Sequence, residues 1–183
     1  LVSSRGLGDV YKRQNTDSTF KIYDDLFKIY PKVGVVLQAY LKRSIADIEK
    51  LAGPGFNARI CKGIYKENKN IAYQDPEDIS KNFLAMAKAM LAKNCYACYA
   101  THDLQLIDDL VSLTKEMDAD TSKFEFQVLY GVPMKGKLDE LLKSGYKVRV
   151  YVPYGPDWYD YSIRRIKENP NIAGYVIKNL FTK

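Results

Sequence analysis

Along the first 16 residues, LVSSRGLGDVYKRQNT, apolar and polar positions follow neither a helical nor a strand period. This stretch reads as a disordered or non-native leader outside the fold. From Asp17 the pattern sharpens. Phe20, Tyr23, Leu26, Phe27 and Tyr30 recur at three- and four-residue steps, which predicts an amphipathic helix capped by Asp17 or Ser18 and ended by Pro31. Beyond it, short β-rich runs at 34–38, 58–61, 96–100, 124–129 and 148–152 alternate with helical stretches. The helices are expected at 44–51, 76–93, 104–117, 135–142 and 158–167, with a last short one near 172–180. The strands read as nearly apolar throughout, as expected where helices cover them.

Strands that alternate with helices of this length predict parallel βαβ units, because a parallel return needs a crossover. Successive strands start roughly 25 to 35 residues apart, the spacing of one unit of an α/β barrel of the (βα)8 TIM type. Five strands leave such a barrel about three units short. The rival is a doubly wound open sheet, which five strands would complete. No G-x-G-x-x-G follows any strand, so that rival lacks its commonest signature.

Composition narrows the class. With 183 residues and 46% hydrophobic content, the chain can bury one core but not two comfortable domains. No run approaches the roughly 20 apolar residues of a membrane span. Three cysteines cannot staple a fold, and their odd count suits a reducing compartment. The 28 basic and 22 acidic residues give +6, which favours anionic ligands; the charges are interspersed, so nucleic acid is not indicated. The chain opens on Leu rather than Met, which reads as processing or as part of a longer protein.

In both architectures ligands bind at the carboxyl ends of the strands. Those ends read Gln38-Ala39-Tyr40, Arg59-Ile60-Cys61-Lys62-Gly63, Ala100-Thr101-His102-Asp103, Phe126-Gln127-Val128-Leu129-Tyr130-Gly131 and Tyr151-Val152-Pro153-Tyr154-Gly155. All five end in polar or aromatic groups, the pattern of a shared pocket. On the helix after the last strand, Tyr161, Arg164, Arg165 and Glu168 share a face. Two guanidinium forks there suit a carboxylate, although a solvated basic patch satisfied by Glu168 fits the same spacing.

Several other features carry less. Cys95 and Cys98 spell C-x-x-C, but residues three apart at a strand face opposite sides, so the sulfurs should diverge. His102, the only histidine, is a candidate general base or a hydrogen-bonding wall residue. Lys42-Arg43 reads as a solvated helix start, and Met86, Met90 and Leu91 as a core-facing helix stripe.

Val36-Leu37-Gln38-Ala39-Tyr40-Leu41-Lys42-Arg43, Arg59-Ile60-Cys61-Lys62-Gly63-Ile64-Tyr65 and Ala100-Thr101-His102-Asp103 resemble the proline dehydrogenase family. So do Phe124-Glu125-Phe126-Gln127-Val128-Leu129-Tyr130-Gly131, Tyr151-Val152-Pro153-Tyr154-Gly155 and Tyr161-Ser162-Ile163-Arg164-Arg165, in family order. The resemblance implies that residues 17–183 form the carboxyl-terminal part of one flavin-binding barrel domain, strands four to eight with their helices. It implies oxidation of L-proline to Δ1-pyrroline-5-carboxylate, hydride transfer to FAD and onward electron transfer to a quinone. The implied location is cytoplasmic, with a peripheral encounter at the inner membrane.

Carried over residue by residue, the resemblance places Arg59 at the flavin ring as the catalytic residue. Gln38, Cys61, Lys62, Gly63, Thr101, His102 and Glu168 would contact the cofactor. Leu129, Tyr151 and Tyr161 would line the proline site, and Arg164 and Arg165 would hold the substrate carboxylate. Ile64 departs from the small residue the family has after this glycine. Family members also draw a lysine and an aspartate from their first and third strands, which this chain does not contain, so the chain alone is expected to be inactive. Two other readings stay open: a flavin-free barrel enzyme acting on a small carboxylate, and a non-catalytic half-barrel.

Overall fold

The computed structural model describes residues 16–63, 67–152 and 155. Helices and strands alternate: α1 (Thr16–Ile29), β1 (Val35–Gln38), α2 (Ser44–Leu51), β2 (Asn57–Cys61), α3 (Pro76–Ala92) and β3 (Tyr96–Ala100). There follow α4 (Leu104–Glu116), a 3-10 turn (Thr121–Lys123), β4 (Phe124–Leu129), α5 (Lys137–Lys143) and β5 (Val148–Tyr151). The helices expected at 158–167 and 172–180 lie outside the described residues, as do residues 1–15 of the expected leader.

The strands form one parallel sheet in the order β1-β2-β3-β4-β5. Chain order and spatial order coincide. A doubly wound sheet must reverse its strand order at a switch point, and here there is none. When every right-handed crossover steps the same way, all helices land on one face and the sheet curls, as in a barrel.

That face is the core. Val35, Leu37, Ala58, Ile60, Ala97, Tyr99, Phe124, Phe126 and Val128 pack against Ile48 of α2, Met86 and Met90 of α3, Ile107 and Leu110 of α4, and Leu141 of α5. Tyr99 anchors an aromatic cluster, with ring centroids 5.7 Å from Phe124 and 5.6 Å from Phe126. Met86 and Met90 are fully buried, as their helical spacing predicts, and Leu91 packs at the margin.

The expectation of nearly apolar strands is corrected. β4 alternates Phe, Glu, Phe, Gln, Val, Leu, and only the first, third and fifth of these belong to the core cluster. The described helices cover one face alone, so the opposite positions are free to carry polar groups.

Two local expectations also change. Asp17 and Ser18 lie inside α1 rather than at its cap, and the Asp17 carboxylate accepts from Arg43 Nη2 at 2.6 Å. Arg43 is therefore no simply solvated helix start. It also donates from Nε to Asp47 at 2.9 Å, and the two carboxylates on one fork tie α1 to α2.

Candidate active site

The face that no described helix covers is built by register. Val36, Arg59, Cys98 and Glu125 lie side by side across β1 to β4. One step nearer the carboxyl ends come Gln38, Cys61, Ala100, Gln127 and Arg149. Beyond that row Leu129 stands opposite Tyr151. The sheet thus brings the expected catalytic Arg59, the expected cofactor residues Gln38 and Cys61, and the expected slot residues Leu129 and Tyr151 onto one surface. Tyr161, Arg164, Arg165 and Glu168 lie outside the described residues.

Arg59 is exposed on this face, and no carboxylate among the described residues lies within ion-pair distance of it. The sole carboxylate among the described strand residues here, Glu125, is taken. Its side chain, only 5% exposed, accepts from Arg149 Nε at 2.6 Å and Nη2 at 2.9 Å, from Gln127 Nε2 at 2.6 Å and from the Tyr96 hydroxyl at 3.0 Å. Burial pushes its pKa up, but hydrogen bonds from Arg149, Gln127 and Tyr96 outweigh this and hold the carboxyl below the usual range. Arg59 is therefore the uncompensated cation of the described face, while Glu125 and Arg149 neutralise each other.

The turn after β3 reaches in three directions. Thr101, buried, accepts from the Asp103 backbone N–H through Oγ1 at 3.2 Å. His102 crosses to β4, where its Nε2 accepts the Leu129 backbone N–H at 2.8 Å. That bond places the proton of the neutral ring on Nδ1 and occupies the lone pair a general base would use. Burial, then the nearby Arg59 charge, pushes the His102 pKa below its ordinary value. His102 is thus a wall residue in this geometry. Asp103 caps α4 by accepting from Gln105 N–H at 3.1 Å and Leu106 N–H at 3.2 Å. Its other oxygen receives Lys62 Nζ at 2.6 Å, and Lys62 also donates to Ser80 Oγ at 3.0 Å.

Lys62 therefore carries its ammonium to α3 and the head of α4. Its backbone is fixed as well: Tyr40 N–H donates to Lys62 O at 2.9 Å, which extends the β1–β2 ladder past the strands. At Gly63, φ is +95°, and an added Cβ would collide with the Tyr40 ring. Only glycine fits this close approach. The β1–α2 loop is braced from below by Asn82 Nδ2, which donates to Ala39 O at 2.6 Å, and by Ser44 Oγ, which donates to Gln38 O at 2.6 Å.

Sequence reasoning did not single out the Glu125–Arg149 clamp, although alternation in FEFQVL and VRVY was its signal. Nor did it single out Asp103, which stands immediately before an apolar-periodic helix in the position of a cap. The C-x-x-C reading holds: Cys95 packs in the helix-side core, Cys98 Sγ lies 3.6 Å from Asn57 Oδ1, and both thiols are free.

A one-way parallel βα sheet with helices on one face and polar groups at its strand ends defines an α/β fold of the TIM-barrel type. Residues 9–177 match the family model for proline dehydrogenase. The chain belongs to the proline dehydrogenase family. It is 39% identical over 180 residues to proline dehydrogenase 1 of Bacillus subtilis, covering 96% of this chain and 58% of that protein. With the proline dehydrogenase of Deinococcus radiodurans it shares 40% identity over 148 residues, 81% of this chain and 47% of that one. The chain thus spans about half the length of these relatives. Among solved structures, proline utilization A from Bdellovibrio bacteriovorus, inactivated by N-propargylglycine, superposes with a TM-score of 0.75 at 22% identity, over 86% of this chain and 19% of that one. A proline utilization A variant from Bradyrhizobium japonicum gives 0.69 at 25% identity, over 84% and 18%. Among the described residues no helix is long and apolar enough to cross a membrane.

Proposed function

We propose that this protein acts in the oxidation of L-proline to Δ1-pyrroline-5-carboxylate, with FAD as hydride acceptor and a quinone as the onward electron acceptor. In this reading residues 17–183 form strands four to eight of the barrel with their helices, so the chain alone turns over no proline. Electrons leave to a quinone by a peripheral encounter at the inner membrane, from an otherwise cytoplasmic protein. The observation that carries the reading is Arg59, a guanidinium uncompensated among the described residues, on the open sheet face of a family member where Glu125 is already neutralised.

The donor set suits a flavin. Arg59 supplies positive charge, Gln38 an amide and Thr101 a hydroxyl, and no unpaired carboxylate among the described strand residues opposes an electron-rich ring. Gly63 lets backbone approach closely where a side chain would not fit. Bound FAD would supply the two-electron acceptor for the hydride from the ring carbon next to the proline nitrogen. Arg59 stabilises negative charge that develops beside it, a preorganised effect of the kind worth a few kcal/mol. Leu129 and Tyr151 offer an apolar wall for the pyrrolidine ring. Arg164 and Arg165 hold the carboxylate and so orient the ring, which lowers the entropic part of the barrier.

The test is anaerobic reduction by proline of the FAD-loaded complete barrel of which this chain forms a part, in wild type and Arg165→Lys. Proline should bleach the wild-type flavin spectrum. Arg165→Lys keeps the charge but loses the planar fork, and kcat/KM for proline should fall about 10- to 100-fold with flavin content near normal. Competitive inhibitors lacking a carboxylate should bind both forms equally. Equal weakening of carboxylate-free inhibitors would remove the arginine pair from substrate binding, and a flavin that proline does not reduce would refute the activity.

A further inference from the structure

Among the described cofactor candidates, Lys62 is the one whose charged end is spent elsewhere. Its side chain is only 30% exposed, and its ammonium bonds to Asp103 at 2.6 Å and to Ser80 at 3.0 Å, and Ser80 Oγ in turn donates to Pro76 O at 3.0 Å. Asp103 is equally committed: one oxygen caps α4 through two backbone N–H groups, and the other takes Lys62. Burial raises the Asp103 pKa, but the Lys62 hydrogen bond and the two capping bonds bring it below the ordinary value, so the carboxylate is charged whenever the protein is folded near neutrality. The pair joins residues 41 apart in sequence and links the two strand ends that carry Arg59 and His102.

We propose that Asp103 is a positioning residue for the FAD site: by latching Lys62 it holds the backbone of Lys62 and Gly63 in place, and the Lys62 ammonium makes no direct contact with the cofactor. The inference rests on the reading that this face binds FAD. Lys62 is then gripped at both ends. Tyr40 N–H holds its carbonyl, the Asp103–Ser80 pair holds its side chain, and Gly63 follows in a left-handed conformation against the Tyr40 ring. A four-carbon stem left unlatched would regain its rotamer freedom and loosen the loop that must meet the cofactor.

Two chemistries compete for Lys62, and they predict opposite results. If its ammonium bound a cofactor phosphate directly, Asp103 would be a rival for it, and removing the Asp103 charge would leave binding unchanged or tighter. If the latch positions the loop, both partners are needed and their effects overlap. Asp103→Asn separates the two because asparagine caps a helix as well as aspartate does, while the charge is lost.

The experiment measures FAD affinity by reconstituting apoprotein prepared from the holoenzyme, together with visible circular dichroism of the bound flavin. The proteins are wild type, Asp103→Asn, Lys62→Met, the double variant and Lys62→Arg, with far-ultraviolet circular dichroism reporting folding. Asp103→Asn and Lys62→Met should each weaken FAD binding about 5-fold, the double variant should be no weaker than the single ones, and Lys62→Arg should restore most of the affinity and the flavin dichroism. Unchanged or tighter binding in Asp103→Asn beside weakened Lys62→Met overturns the latch in favour of direct contact. Fully additive losses in the double variant overturn the coupling. A folded wild-type apoprotein that takes up no FAD refutes the functional reading itself, and the latch role falls with it.

Discussion

On the side of the sheet that meets the helices, Ile60, Tyr99, Phe124 and Phe126 are no more than 1% exposed and make a continuous apolar layer. On the other side the same strands carry Arg59, Glu125, Gln127 and Arg149, joined by directed bonds or left free. The first layer is held by area removed from water, about 1.5–3 kcal/mol for each large side chain, and depends little on direction. The second depends on geometry and charge, and a buried carboxylate there is stable only while its partners stay in place. One face supplies stability and the other carries the proposed chemistry, and substitutions on the two should fail in different ways.

The largest effect is expected on the helix side. Phe126→Ala removes a ring that touches Tyr99 and Tyr146, and should cost about 3–5 kcal/mol in urea unfolding. Its remaining folded fraction should keep a normal flavin reduction rate by proline. A slowed rate with intact stability would erase the distinction between the faces. Next is Glu125→Gln on the open side, which loses the bidentate Arg149 bond. Because the Arg149 side chain is 55% exposed and water can replace part of the loss, the cost should be about 1–3 kcal/mol, read by the same unfolding curves. A neutral result would make the clamp a surface ion pair.

The smallest effect is a pH dependence. His102 has a folded pKa below its ordinary 6.5, so the unfolded chain binds the proton more readily. Its contribution to stability is therefore present at pH 7 and is lost as pH falls from about 6.5 toward the folded value, when the protonated ring can no longer accept the Leu129 N–H. Stability of wild type should decline more steeply than that of His102→Gln between pH 6.5 and 5, measured by chemical denaturation. Parallel curves would show that His102 titrates as it does in the unfolded chain.

These differences also explain what could be read in advance. Helix 44–51 was legible to the residue, and α3 and α4 end one residue before the expected stops at 93 and 117. The start of α5 slips from 135 to Lys137 because Lys135 and Gly136 have φ of 48° and 79°, which no right-handed turn accommodates. Apolar periodicity reports the helix side well, since burial is written locally. The open side is written across the sheet. Arg59 and Gln38 were legible as polar strand-end positions, with their roles implied only by motif resemblance, whereas Lys62 with Asp103 and Glu125 with Arg149 meet over separations of 41 and 24 residues that no local pattern encodes.

Arg59 is the uncompensated cation among the described residues of the open face, and rapid-reaction spectroscopy of the FAD-loaded complete barrel tests its proposed role most directly. Wild type and Arg59→Met are mixed anaerobically with saturating L-proline, and flavin bleaching is followed. Methionine keeps the length of the side chain and removes its charge, so bleaching should slow by about 100-fold or more, with a lowered flavin reduction potential. An unchanged bleaching rate in Arg59→Met would contradict the account and leave Arg59 a structural residue.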